Sequence, residues 1–427
     1  MMKFTAVGDT AIQRRLPKNY EGFSAVKDYI AKGDARFFNL ETTVNRDCFA
    51  NMESGGTWLR ADPAVLRDMK EFDFNLTTFA NNHCMDFSYG GMLQTIDNLN
   101  ANGYIHSGMG RNLHEAAAPA YLDTANGRVA LISCSADFAS GAMAGVQSRR
   151  LPGRPGVNGI RIEETVIVTE EQLNVLKNIA KETKVNAQLD VERRDGYAPQ
   201  LPDNVTQIKN VKFRVGEKPG MEHSVHASDR KRMEKMVREA AFQADYVLVS
   251  IHFHMATGDT QEEVPAVLRE FAHYLIDCGA HAIIGHGPHL LRPVEVYKER
   301  PIFYSLGDFL LQLENCELAP EDFYEKFGLT SDNSMLELFS VRTKNFTQGL
   351  QYRPVMLESV IPYFEMEDGK LTRLEFMPIE LGYGMRHSQI GLPRMAKSDD
   401  ILKRFAKMSQ DFGIDIRIEN GIGIATW

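Results

Sequence analysis

Cysteine is scarce and unpatterned in this chain. The five residues, Cys48, Cys84, Cys134, Cys278 and Cys316, are odd in number and contain no C-x-x-C pair, which excludes a disulfide framework and a zinc ribbon and fits a reducing compartment. Long apolar runs are missing as well. Nothing approaches the roughly 18 residues of a membrane span, and Met1 to Gly8 is too short to hold the apolar stretch of a signal peptide, so the expected location is cytoplasmic. Positive charge is not in excess: 48 Lys+Arg against 57 Asp+Glu leave −9, a balance that repels polyanions and argues against a nucleic-acid partner. Internal repeats and low-complexity tracts are also absent.

What remains is an ordinary globular composition. The 427 residues are 43 % hydrophobic and 25 % charged, and at about 150 residues per domain they allow two or three domains. Short apolar runs recur: Lys3 to Gly8, Arg36 to Leu40, Phe74 to Phe79, Val129 to Ser133, Tyr246 to Ile251 and Ala280 to Ile284. Helical stretches separate them, including one opened by Asp62-Pro63 and one over Ser228 to Ala244. Strand alternating with helix predicts an α/β layered fold.

Two regions break the rhythm. Residues 140–228 carry Pro and Gly clusters and one clear helical stretch, Glu170 to Glu182, as an insertion would. Within Gln147 to Lys235, 17 Lys+Arg face 13 Asp+Glu, a local +4 that leaves −13 for the rest of the −9 chain. That lobe could guide an anionic substrate or simply be a solvated charged face. Residues 316–427 read as a C-terminal extension on the same body, with a hairpin predicted around Glu367-Asp-Gly-Lys370. Residues 1–139 and 229–315 are then two halves of one domain.

The residues that carry chemistry sit just past the apolar runs. Asp9 follows the first, Glu41 the second, Asn81-Asn82-His83 the third, His252 and His254 the Tyr246 run, and His286 and His289 the Ala280 run. Ligands of open α/β sheets bind outside the carboxyl ends of the strands, so these residues could converge. Carboxylates, an amide oxygen and imidazoles suit Mn²⁺, Fe²⁺, Zn²⁺ or Mg²⁺. Five or six such groups with a bridging carboxylate fit two ions, and a two-metal site makes hydrolysis the default expectation.

The ordered set Gly8-Asp9, Asn39-Leu40-Glu41, Asn81-Asn82-His83 with Asp86, Ser250-Ile251-His252 and Gly285-His286-Gly287-Pro288-His289 resembles the CapA family. Pro301-Ile-Phe-Tyr-Ser-Leu-Gly-Asp-Phe309 is similar to that family's segment ending Tyr-Ser-Leu-Gly-Asn-Phe. CapA proteins are named for poly-γ-glutamate capsule synthesis and belong to the calcineurin-like metallophosphoesterase superfamily. The resemblance implies a four-layer α/β/β/α sandwich with a middle insertion and a C-terminal extension. It also implies that Asp9 and His289 serve one metal, that Glu41 bridges, and that Asn82, His252 and His286 serve the other. His83 would protonate the leaving group, oriented by Asp86; imidazole titrates near neutrality, which suits that work.

Several positions depart from the pattern. The superfamily's Asp-x-His is Asp9-Thr10-Ala11 here, so one imidazole is missing, while His254 stands where the family has glycine. Residues i and i+2 share a strand face, so an extended His252-Phe253-His254 puts both imidazoles on one side. Gly287 and Asp308 replace histidine and asparagine, and Asp308 could support a ligand from behind. Arg60, in Gly55-Gly56-Thr57-Trp58-Leu59-Arg60, is a candidate clamp for a carboxylate or phosphate. His106, His114, His273 and His281 read as structural, and Cys84 as packed rather than nucleophilic.

The function expected from the resemblance is a divalent-metal-dependent hydrolase that cleaves a γ-glutamyl or peptide-like amide through a metal-activated water. The substrate is then an anionic or peptide-like small molecule or polymer. Alternatives are a phosphoesterase with the same ligands, an epimerase of a peptide residue, and a non-catalytic module that binds or assembles capsule polymer.

Overall fold

The computed structural model describes residues 1–52, 56–313 and 316–427. The chain divides into two compact units, 1–160 with 231–427, and 161–230. The smaller unit is narrower than the 140–228 interval marked by composition, and residues 140–160 group with the larger one. Gly55 and the boundary residue Asn315 lie outside the described residues.

The larger unit is a sandwich of two sheets. One has the strand order Asp415–Glu419, Ile422–Thr426, Lys370–Glu380, Glu358–Glu367, Met2–Ala11, Ala35–Leu40, Leu76–Thr78 and Ile105–Ser107. The other runs Leu291–Tyr297, Arg300–Leu306, Ala282–His286, Tyr246–His252, Gly127–Ser135 and Ala120–Thr124. Alternation explains the layering. Phe4 and Phe37 on the first sheet meet Leu248, Ile284 and Phe303 on the second in one buried core. Phe38 and Leu40 face the other way, into a core shared with Val26 and Ile30 of helix Phe23–Ile30 and Leu66 and Met69 of helix Val65–Glu71. On the far side, helix Ala266–Cys278 packs on Ala282–His286 and Arg300–Leu306. It stops at Gly279, whose φ of 122° lets the chain turn out of the helix. These are the α/β/β/α layers that the resemblance implies.

Some elements differ from expectation in detail. Asp62 does not cap the helix directly: its Oδ1 accepts the Ala64 N–H at 2.8 Å in a turn, and the helix begins at Val65. The predicted hairpin forms with Asp368 and Gly369 both at positive φ, 49° and 76°, as a tight two-residue turn requires. Its strand Glu358–Glu367 pairs antiparallel with the first strand, Met2 level with Met366.

The unit 161–230 contains more regular structure than the one helix predicted. Four strands, in the order Val205–Ile208, Val211–Val215, Ile162–Val168 and Gly220–Val225, accompany helices Glu170–Thr183 and Ala187–Arg194. Thr169 and Gln172 form a capping box at the first helix. Within this unit, Arg161 reaches the buried Asp229 with its backbone N–H at 3.0 Å and its Nε at 2.8 Å.

Gly8 has a particular job. A Cβ there would lie 1.8 Å from the Gly307 carbonyl oxygen, because the first strand closes on the chain entering strand Asp308–Leu311. The approach lets the Asp9 N–H donate to Gly307 O at 3.0 Å and sets Asp9 level with Asp308. Gly8→Ala should therefore cost about 3 kcal/mol, the upper part of the overpacking range, since the clash is with backbone. A denaturant titration whose midpoint matched the wild type would refute this.

Candidate functional site

Strand register assembles the site. Asp9 is level with Asn39 on one parallel neighbour and with Asp308 on another. In the second sheet, His252 is level with His286 on the adjacent parallel strand. Glu41 follows strand Ala35–Leu40 immediately, and Asn82 and His83 lie in the turn after Leu76–Thr78. Asp308 opens its own short strand just after Arg300–Leu306 ends, and the others lie at or just past carboxyl ends, so the residues meet at one rim, the topological position where α/β sheets bind ligands.

Three overlapping groups have ligand atoms mutually within 4.8 Å: Asp9, His252 and His286; Glu41, His252 and His254; and Asp9, Glu41, His289 and Asp308. Asp9, Glu41 and His252 each belong to two groups. His252 Nε2 lies 2.9 Å from Asn82 Oδ1 and its Nδ1 lies 2.8 Å from His286 Nδ1. Asp9 is oriented by Asn39 Nδ2, which donates to Oδ1 at 2.6 Å, and by the Gly287 N–H, which donates to Oδ2 at 2.8 Å. The Ser250 hydroxyl is 2.7 Å from His286 Nε2. Asp308 is 2.8 Å from His289 Nδ1, so it both supports that ring and offers an oxygen to the cluster. His252 and His254 share a pocket, with ring centres 4.7 Å apart. Position 11 is alanine, while His254 brings an imidazole beside Glu41 and His252.

Burial makes this cluster electrostatically demanding. Burial pushes the Asp9 carboxyl up to about 7 and that of Glu41 well above the carboxylate range. It takes His286 down to about 3 and His252 well below the usual imidazole value, which favours the neutral form that can act as a metal ligand. Burial also pulls on His289, but the carboxylates of Asp308, Glu41 and Asp9 together outweigh it and raise the ring to about 10. Both Glu41 oxygens are buried with no hydrogen-bond partner. An ionised carboxylate in that condition costs several kcal/mol. A divalent cation would supply the missing partner, and carboxylate, amide and imidazole donors fit Mn²⁺, Fe²⁺, Zn²⁺ or Mg²⁺.

Beside the cluster opens a cavity of about 620 Å³ lined by Glu41, Asn82, His83, His254 and His289 together with Ala11, Thr57, Leu59, Asp137 and Arg342. His83 Nδ1 is 2.7 Å from Asp86 Oδ2, which also accepts the Leu59 N–H at 2.7 Å. This leaves Nε2 as the available nitrogen of a cavity-lining imidazole. Arg60 does not line the cavity. Strand alternation sends its side chain away from the face occupied by Leu59, and its guanidinium lies 5.9 Å from the Phe87 ring centre.

Two ionisable lining residues escaped the sequence reading. Asp137, whose Oδ2 accepts the His254 N–H at 2.7 Å, follows strand Gly127–Ser135 just as the other candidates follow theirs, and that same signal would have found it. Arg342 ends helix Met335–Arg342, far from every motif, and carries no comparable signal. The histidines read as structural have local partners: His106 Nε2 is 3.0 Å from Asn100 Oδ1, and His273 stacks on Tyr297 with ring centres 3.9 Å apart. Cys84 is buried, which pushes its thiol up and away from nucleophilic use. Among the described residues, no helix is long and apolar enough to cross a membrane.

Relatives share this chain to differing extents. Two uncharacterized proteins of Sinorhizobium fredii, y4sH and y4uA, are each 32 % identical over 98 % of this chain and 92 % of their own length. The capsule biosynthesis protein CapA of Bacillus anthracis is 24 % identical, over 72 % of this chain and 59 % of its own. The PGA biosynthesis protein CapA of Bacillus subtilis is 40 % identical over 30 % of this chain and 29 % of its own. Among solved structures, a hypothetical protein from Thermus thermophilus aligns with a TM-score of 0.39 at 13 % identity, covering 89 % of this chain and 99 % of that one, a likeness too loose to bear on the site. The family model described as bacterial capsule synthesis protein PGA_cap matches residues 3–313, the span holding every member of the ligand cluster, and the chain belongs to that family.

Proposed function

We propose that this protein is a divalent-metal-dependent hydrolase that cleaves a γ-glutamyl or peptide-like amide. The observation that carries the reading is the Glu41 carboxylate, buried with no hydrogen bond to either oxygen, in a cluster that opens on the same cavity as His83. Asp9, Glu41, His289 and Asp308 would hold one ion, and Asn82, His252 and His286, with Asp9 or Glu41 shared, a second. Bound there, such ions polarise a carbonyl and make a water nucleophilic near neutral pH.

The chain's own groups do the rest. Asp86 holds the proton on His83 Nδ1, so an imidazolium at this position gives its proton from Nε2 to the departing nitrogen. Asn39 and Gly287 keep Asp9 in place, and Ser250 fixes the His286 ring. The capsule biosynthesis names of the Bacillus relatives support an acidic capsule polymer as the source of the substrate.

The test is to incubate protein purified without chelator and supplied with Mn²⁺ in heavy water, with tri-γ-glutamate and separately with p-nitrophenyl phosphate. Release of glutamate that ceases with EDTA is the expected result. Phosphate release alone would make it a phosphoesterase, deuterium uptake without cleavage an epimerase, and binding without either a polymer-holding module.

A further inference from the structure

Arg342 differs from the other cations near the site in what surrounds it. It lines the cavity that holds Glu41, His83 and His289. Its guanidinium lies 5.2 Å from the ring centre of Phe323 and 5.9 Å from that of Phe339, and Nη1 donates to the Thr57 hydroxyl. The helix that carries it is anchored at its start by a capping box between Ser334 and Glu337. The rings and the hydroxyl position the group without neutralising it, and no carboxylate among the described residues forms an ion pair with it. A guanidinium has five N–H donors in a planar fork that matches an oxyanion. Such a group, partly withdrawn from water and facing a cavity, favours an anionic ligand.

Resting on the proposal that this cavity receives the substrate, we infer that Arg342 is its anion anchor: it binds a carboxylate or phosphate of the substrate away from the bond that breaks. The anchor lies beyond residue 313, where the family match ends, so the reaction centre and the charge selection come from different parts of the chain. It takes the role that the sequence suggested for Arg60. The anchor explains how a protein of net charge −9 captures an anion locally.

The experiment is calorimetric titration of the Mn²⁺-supplied wild type, Arg342→Gln and Arg342→Lys with three probes: tri-γ-glutamate, its counterpart with every free carboxylate converted to amide, and inorganic phosphate. Loss of a charge-assisted hydrogen bond predicts that tri-γ-glutamate binds about tenfold or more weaker to Arg342→Gln, with much of the affinity restored in Arg342→Lys. The amide counterpart should bind both variants as it binds the wild type. Phosphate weakened in parallel identifies a general oxyanion site, and phosphate unaffected a carboxylate site. The inference is overturned if tri-γ-glutamate and phosphate bind wild type and Arg342→Gln within twofold, or if neither binds the wild type. If Arg342-dependent binding holds but no γ-glutamyl bond is cut, the hydrolase reading falls and the anchor stands. If Arg342→Gln binds and cleaves like wild type, the reverse is true. Thr57→Val keeps the charge and should show a smaller loss, which separates misplacement of the group from its removal.

Discussion

Replacing Glu41 by glutamine should strip the protein of bound metal and reduce turnover by about three orders of magnitude or more, since several kcal/mol of charge stabilisation is removed. The thermal behaviour makes the result diagnostic. Burial raises the Glu41 carboxyl well above its ordinary range, so in chelator-treated protein the ionised form is a burden. Removing the charge should leave the melting temperature of the stripped protein unchanged or higher. Wild type should instead gain stability on addition of Mn²⁺, about 2.7 kcal/mol at a hundredfold excess over Kd, and Glu41→Gln should lose most of that gain. Equal metal content in the two proteins, measured by elemental analysis, would remove Glu41 from the metal site.

His83→Ala should leave metal content intact and lower kcat by about 10²- to 10⁴-fold, the usual contribution of a positioned general acid. A merely structural histidine would affect all substrates alike. The proposed proton donor would not: with a γ-glutamyl p-nitrophenyl ester, whose phenolate departs without a proton, the penalty should shrink sharply. An undiminished penalty on the ester would assign His83 to packing. Asp86→Asn should fall between the two because it disturbs both the His83 Nδ1 contact and the Leu59 N–H that Asp86 accepts.

Much of the cluster was legible because short buried parallel strands read as continuous apolar runs, and the polar residue just beyond each run is conspicuous. Asp9, Glu41, His252 and His286 were found that way. Their convergence was expected from the strand ends, but which groups stand level was not legible, since that depends on register, with Asp9 level with Asp308 across some 300 positions of chain. Asp308 was read as a supporting group, and its carboxylate stands in one of the groups that could hold an ion. The sheet within residues 161–230 was missed because its strands are half exposed and mixed in composition, with Glu163 and Glu164 inside Ile162–Val168. Arg60 stays out of the cavity lining for a local reason, since one step along an extended backbone reverses the side chain's direction. Arg342 reaches the cavity only through tertiary packing, which no spacing rule encodes.

The pairing of Met2–Thr5 with Tyr363–Met366 has a practical consequence. A protein shortened to the family-matched span would leave one flank of its opening strand with bare amide and carbonyl groups, and would uncover Phe4, which stacks on Phe364 at 4.8 Å. Such flanks recruit strands from neighbouring copies. Expression of residues 1–313 alone should therefore yield aggregates, even though that fragment keeps every candidate metal ligand.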